Sequence, residues 1–408
     1  MKTLILCLLT LSFELALAFD DPPRSRRKLY SHYSGRAIGT LSMQIDQDFF
    51  ADLINNQDRN YTQGTAFSYS QLGHEKENII FTPLNLIYKL HDRLFILSRD
   101  NYFDFQELPA QIGFGVSAFT PLNIRTYIPE YGDRPYSNMV FLQTTRTRTF
   151  RRSVRSWSLV YGLLGTNVSQ EFQSFAHSYW FTGRGIPLGW DTQISKGGHF
   201  AFLIQNSFKA PVRTFKFDEA RKGELFKSDK WWKEWLRWDA SYGLESAAGY
   251  YTYFSGNIGL RAGKINFANF GKGQNTILSA VDKKNEAGVI NENPVVEDPI
   301  WEHFLYASLS PRLFARNALI SGQKNIESGY ALDSKYMNTF VAELEIGWTS
   351  SRTRRITQTN AETGVKKLLS LDSFQASISI KRRSPEIKYP GFRRPHYWGC
   401  VSVSVPFH

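Results

Sequence analysis

The chain has 408 residues, a formal net charge of +12 and a mean hydropathy of -0.35. Beyond its N-terminus no stretch approaches about 18 consecutive apolar residues, which excludes a helical membrane protein but not a transmembrane barrel, whose alternating strands are nearly invisible to hydropathy. With only Cys7 and Cys400 against 31 Phe, 20 Tyr and 10 Trp, the composition leaves little scope for disulfides and favours β structure.

The first residues read as a secretory signal peptide over 1–18. Lys2 precedes an apolar run from Leu4 to Leu11, and Ala16 and Ala18 form an A-x-A site, so cleavage is expected after Ala18. The mature chain then keeps only Cys400, and no intrachain disulfide is possible. An exported chain of this size must be held by its core or by a closed hydrogen-bonded sheet. Export sets nucleic acid aside as a partner, so the positive charge points to anionic lipid or lipopolysaccharide. Residues 19–37 are polar and basic and read as a flexible N-terminal tail, with a barrel over 38–408.

Period-two alternation then recurs. Phe340, Ala342, Leu344, Ile346 and Trp348 share one face, opposed by Glu343 and Glu345. Phe374, Ala376, Ile378 and Ile380 alternate with Gln375, Ser377 and Ser379 in the same way. Further strands are expected near 38–48, 61–71, 110–120, 136–148, 153–164, 197–208, 231–244, 249–265 and 301–313. The final segment alternates Val401, Val403, Val405 and Phe407 against Ser402 and Ser404, and closes on an aromatic as outer-membrane barrels do, although His408 follows. The expectation is an all-β protein: a transmembrane antiparallel up-and-down barrel of about 12 strands in the outer membrane, acting as a monomer. Residues 73–107 hold an apolar cluster expected to form an inserted hairpin or helix, and 268–299 read as a long loop. From Asn167 to Trp180 neither Gly, Pro nor alternation interrupts, so a short helix is expected, with Gln173 and His177 on one face.

Five polar clusters stand out in order: Asp46-Gln47-Asp48-Phe49; Asp58-Arg59-Asn60-Tyr61-Thr62-Gln63-Gly64; Phe119-Thr120-Pro121 with Arg125 and Gly132-Asp133-Arg134-Pro135-Tyr136; Gln170, Gln173 and His177; and Gly189-Trp190-Asp191-Thr192-Gln193. Over roughly residues 40–195 this succession resembles the lipid A 3'-O-deacylase family. That family carries an Asn-Asp pair, D-R-x-Y-T-x-G, an aromatic-T/S-P, a D-R-P-Y-like segment, Q-x-x-x-H on a helix and W-x-x-Q. The resemblance implies an active site near the extracellular end of the barrel, hydrolysis of the 3'-linked acyloxyacyl ester of lipid A, and a calcium ion. It implies that His177 is the general base, that Gln173 sits one turn before it, and that Asp48 and Thr62 belong to the site, Asp48 as a metal ligand. Two departures stand against it. Gln47 replaces the family asparagine, and the lysine after the T-P element has no match; Arg125 is the nearest cation, and Thr126 could equally occupy that position.

The chemistry is coherent on its own terms. Ester hydrolysis needs a base near neutrality, which histidine supplies, and donors or positive charge for the developing oxyanion. No G-x-S-x-G is present, so attack by water is simpler than attack by serine. Two other readings remain at this point: an outer-membrane phospholipase, and a barrel that has lost activity and serves as a channel or scaffold. Asp133 and Tyr136 are expected to fix a turn and its neighbouring strand, Trp190 to anchor at the membrane interface, and Trp231, Trp232, Trp235 and Trp238 to sit at a membrane boundary, with a substrate groove as the alternative.

Overall fold

A computed structural model describes residues 39–48, 63–71, 74–95, 105–150, 153–179, 185–212, 237–266, 295–296, 300–359 and 366–407. The proposed signal peptide, the tail, Thr62 and most of the 268–299 loop lie outside the described residues. Twelve antiparallel strands form a closed barrel: β1 (Gly39–Gln47), β2 (Gln63–Gln71), β3 (Ala110–Phe119), β4 (Ser137–Phe150), β5 (Val154–Leu164), β6 (His199–Pro211), β7 (Arg237–Gly249), β8 (Tyr251–Lys264), β9 (Ile300–Asn317), β10 (Phe340–Thr359), β11 (Lys366–Arg383) and β12 (His396–Phe407). Each pairs with its neighbour in sequence, and β12 returns to β1 with Gly39 opposite Phe407. Closure leaves the sheet without a long unpaired edge, so the backbone groups of the strands are satisfied within the wall, as lipid surroundings require. No helix among the described residues is long and apolar enough to cross a membrane.

Alternation sorts the side chains. Met43, Phe67 and Phe114 lie side by side across β1, β2 and β3, and all three are exposed on the outer face. Leu305, Trp348 and Ile378 continue that apolar face around β9, β10 and β11. The inner face is filled. Phe119, Met139, Val160, Leu203, Tyr253, Phe314 and Val341 pack together there, joined by Leu319 from the short helical turn after β9. Polar inner positions pair across strands: Arg312 and Arg383 both reach Glu343, Arg261 binds Asp239, and Tyr306 donates to Glu345 at 2.8 Å. A packed lumen of this kind opposes an open aqueous channel.

The barrel has two unlike ends. At the terminal end lie Gly39 and Phe407. At the far end Asp46, Gly64, Ser117, Met139 and Leu164 stand level across β1 to β5. The insertion expected at 73–107 contains helix α1 (Thr82–Phe95) and the short strand Phe105–Glu107, which pairs with the terminal end of β4.

Candidate active site

At the far end the chain leaves β5 through Gly165 (φ +88°), where a Cβ would collide with the Ser195 carbonyl. Helix α2 (Val168–Tyr179) follows and buries Ser169, Gln173, Ala176 and His177. Those positions recur at helical spacing, so they form one face. That face lies on the outside of the barrel wall. Met139 points into the lumen, so its neighbour Asn138 faces outward, opposite Ala118 on β3. Asn138 Nδ2 donates to Ser169 Oγ, and Asn138 Oδ1 accepts from Thr166 Oγ1 at 2.7 Å. One outward amide therefore fixes the start of α2 to the rim.

The other two polar side chains of the buried face are also held in a defined orientation. His177 Nδ1 lies 2.7 Å from the Gly185 carbonyl oxygen. A carbonyl only accepts, so Nδ1 carries the proton and Nε2 is the nitrogen that can take one. Trp190 Nε1 donates to Gln173 Oε1 at 2.9 Å. An indole N–H only donates, so the Gln173 carbonyl faces Trp190 and its amino group faces away.

Trp190 is 1% exposed and packs with Ala118, Ile124 and Tyr136, its ring 4.7 Å from that of Tyr136. It is not the membrane-interface anchor expected from sequence but the support beneath Gln173. Its neighbour Gly189 lets Tyr136 approach, since a Cβ there would stand 2.5 Å from the Tyr136 ring. Asp133 fixes its turn as expected: it accepts from the Leu122 and Arg134 amides, each at 2.7 Å, and from Arg394 at 2.6 Å.

Arg125 reaches the same spot from the segment after β3. Leu188 N bonds the Ile124 carbonyl at 2.8 Å, so the two segments run side by side. Gly185 has φ +75°, and a Cβ on it would stand 2.8 Å from Arg125 Nε. Gly185 thus touches His177 through its carbonyl and Arg125 through its Cα. Thr126 turns away, its hydroxyl donating to the Ile128 carbonyl at 3.0 Å within its own turn.

β1 brings Gln47 and Asp48 to this rim. Gln47 alternates onto the outer face with Met43, while Asp48 follows the strand end and is buried. α2 packs against β3 and β4, and β1 lies two strands from β3. At about 4.8 Å per strand that is about 10 Å around the rim. The structure thus gathers His177, Gln173 and Arg125 around Gly185 and Trp190, and places Gln47 and Asp48 on the same rim two strands away. Among the described residues no three of His, Cys, Asp and Glu stand together to hold a metal. Calcium takes six to eight oxygens, many from carbonyls and amides. Asp48 offers one carboxylate to such a site.

A family model for the outer membrane protein LpxR matches residues 4–407. The chain belongs to the LpxR family of outer-membrane proteins. Among solved structures it is similar to LpxR from Salmonella typhimurium, with a TM-score of 0.53, 12% identity, and 90% of this chain and 100% of that one covered. At that identity the likeness shows the fold, the closed 12-stranded LpxR barrel. A bacterial polysaccharide outer membrane secretin (TM-score 0.26, 6% identity, 92% of this chain and 100% of that one) and the P. putida toluene transporter TodX (0.27, 9%, 92% and 91%) overlap far less. No curated protein matches the chain in sequence. Within this LpxR-family barrel, Asn138, Gly185 and the supporting role of Trp190 were not anticipated from sequence. An Asn on an outward strand position and an indole followed by Asp-Thr-Gln were the available signals.

Proposed function

We propose that this LpxR-family barrel is a lipid A deacylase that hydrolyses the 3'-linked acyloxyacyl ester, with His177 activating water. The observation that supports it is the fixed pair on α2: Nδ1 of His177 tied to Gly185 and the Gln173 carbonyl tied to Trp190, on the outer wall at the rim. A lipid of the surrounding leaflet reaches that place without entering the filled lumen. In this reading Nε2 of His177 takes a proton from water as the water oxygen attacks the ester carbonyl carbon. The Arg125 guanidinium and the Gln173 amino group meet the oxyanion. As the ester C–O bond breaks, the imidazolium returns the proton to the departing alkoxide, giving a free acyloxyacyl acid and a 3'-hydroxyl. Arg125 stands in for the family lysine; it offers a planar fork rather than a point charge, which suits an oxygen approached from two sides.

Calcium dependence is a separate proposal carried by the family resemblance alone, and no step above runs through a metal. The test is mass spectrometry of lipid A incubated with the purified, detergent-solubilised barrel. Loss of one acyloxyacyl mass is expected, and loss of activity by about 10²–10⁴-fold in His177→Ala. Equal cleavage by that variant would remove the base, and free fatty acid released from phosphatidylethanolamine with lipid A untouched would make the protein a phospholipase. Adding a chelator in a parallel arm decides the metal proposal.

A further inference from the structure

Helix α1 is unrelated to the site just described, yet it too lies on the outer wall, at the opposite end. Its buried residues Leu84 and Tyr88, with Phe81 from the turn just before it, pack with Ala110 and Ile112 on β3, Trp157, Leu159 and Tyr161 on β5, and Ile204 on β6. These wall residues share the outward face with the exposed Phe114, Leu163 and Phe202. The insertion therefore occupies wall that would otherwise meet lipid.

Its other sides are not alike. At about 100° per residue, Pro83, Leu86 and Leu90 fall on the side away from the wall, with Ile79 just before the helix. All four are exposed, Ile79 to 86% and Leu90 to 60%. One flank between wall side and outer side is apolar and carries Ile80 and Ile87, both packed against this same cluster. The opposite flank is polar. Asn85 accepts from Arg146 Nη1 at 2.7 Å, and Lys89 is exposed on the same side. Arg146 and Arg148 both stack on the Tyr88 ring, 4.5 Å from its centroid, and both bind Glu107. These groups sit on the part of β4 nearest the terminal end.

We infer that α1 is an interfacial helix seated in the lipid leaflet at the terminal end of the barrel. Its Pro83, Leu86 and Leu90 side takes phospholipid acyl chains, and Lys89 meets headgroup phosphate. The polarity across the helix gives the argument: apolar flank toward the midplane, polar flank toward water, outer side apolar and continuous with the lipid-facing wall. A protein partner would cover the outer side but would not require the flanks to differ in this sense. Arg146 and Arg148 face outward from a strand, where a bare cation against lipid is costly. α1 gives them an aromatic face and the Asn85 amide oxygen, alongside Glu107.

The inference holds independently of the catalytic reading and is tested on the full-length barrel in phosphatidylethanolamine–phosphatidylglycerol vesicles. Spin labels are placed singly at Leu86→Cys, Leu90→Cys and Lys89→Cys; the native Cys400 is buried. The expected result is relaxation of labels 86 and 90 by oxygen and not by a water-soluble nickel chelate, with the chelate reaching label 89. Chelate access at 86 and 90 would place α1 in water and overturn the inference. Labels at 86 and 90 that neither reagent relaxes would show a protein cover and overturn it equally. Unchanged β-sheet circular dichroism and heat-modifiable gel mobility in all three variants would confirm that the labelled barrels are folded.

Discussion

α1 and α2 are two helices laid on the outer wall of one barrel, at opposite ends, and their buried faces differ in kind. α1 and the turn before it bury mainly apolar groups, Phe81, Leu84 and Tyr88, against apolar wall, with His91 set edge-on to the Trp157 ring. α2 buries Ser169, Gln173 and His177, and each polar group meets a named partner: Asn138, Trp190 and Gly185. Burial of an apolar side chain is worth about 1.5–3 kcal/mol and asks for no direction. Burial of a polar one is affordable only when its hydrogen bonds are made, and then it is oriented. The same scaffold thus yields an attachment at one end and a preorganised chemical face at the other. Both helices also expose apolar residues, Val168, Phe172, Phe175 and Tyr179 on α2 and Leu86 and Leu90 on α1, so exposure does not distinguish them.

The comparison breaks most visibly at the charges beneath the far end. Glu386, in the loop between β11 and β12, binds Arg134 at 2.6 Å and Arg383 at 3.4 Å, and accepts from Tyr251 at 3.0 Å. Burial alone would raise its pKa, but Arg134 and Arg383 outweigh burial and hold the carboxyl well below the usual carboxylate range. Its contribution to stability is therefore complete above the ordinary value of about 4.5 and is lost as pH falls through the lower folded value. Glu386→Gln leaves Arg134 buried without a counter-charge and is expected to cost about 3–5 kcal/mol at neutral pH. Thermal unfolding of the solubilised barrel between pH 7 and pH 3 checks both: wild type should weaken as the pH drops below 4.5, and the gap to the variant should narrow. A constant gap would show that the charge network is not what holds this end.

Arg125 sharpens the chemical half of the comparison. Arg125→Ala is expected to lower kcat on lipid A by about 10²–10³-fold, as loss of an oxyanion donor does. Arg125→Lys should recover part of it, because the charge returns without the fork. An Ala variant with raised KM and unchanged kcat would make Arg125 a binder of lipid phosphate instead. Trp190→Phe is the smaller change at the same site. It keeps the ring against Tyr136 but removes the donor to Gln173, and about a tenfold fall in kcat is expected with the barrel still folded, near 1.4 kcal/mol. Full activity would mean that the orientation of Gln173 does not matter.

The strands were legible because a barrel wall enforces period two along its whole length. All twelve expected segments are strands, and the shift to 3.6-residue spacing after Asn167 marks α2. Boundaries moved where alternation stops before pairing does: β10 runs on from Phe340 to Thr359, well beyond the apolar side chains that announced it. The face of the wall on which a helix lies was not legible, since IIFTPLNLIYKL reads as apolar whether it fills the lumen or covers the exterior. Gly185 was hidden for a different reason. Its positive φ and its closeness to Arg125 are properties of the folded chain and leave no local pattern.

The smallest effect lies on α1 and tests whether its attachment is as undirected as its apolar face suggests. Tyr88 is buried, and its hydroxyl donates to the Arg146 carbonyl at 2.7 Å while its ring carries the two arginines. Tyr88→Phe keeps the ring and both cation contacts and removes one hydrogen bond. A loss of about 1 kcal/mol in unfolding free energy is expected, with lipid A hydrolysis unchanged. Tyr88→Ala also removes apolar burial and the cover over Arg146 and Arg148, so it should cost about 3–5 kcal/mol. If Tyr88→Phe were as damaging as Tyr88→Ala, the hydroxyl would be directing α1 much as Asn138 directs α2, and the contrast between the two helices would reduce to the chemistry of His177 alone.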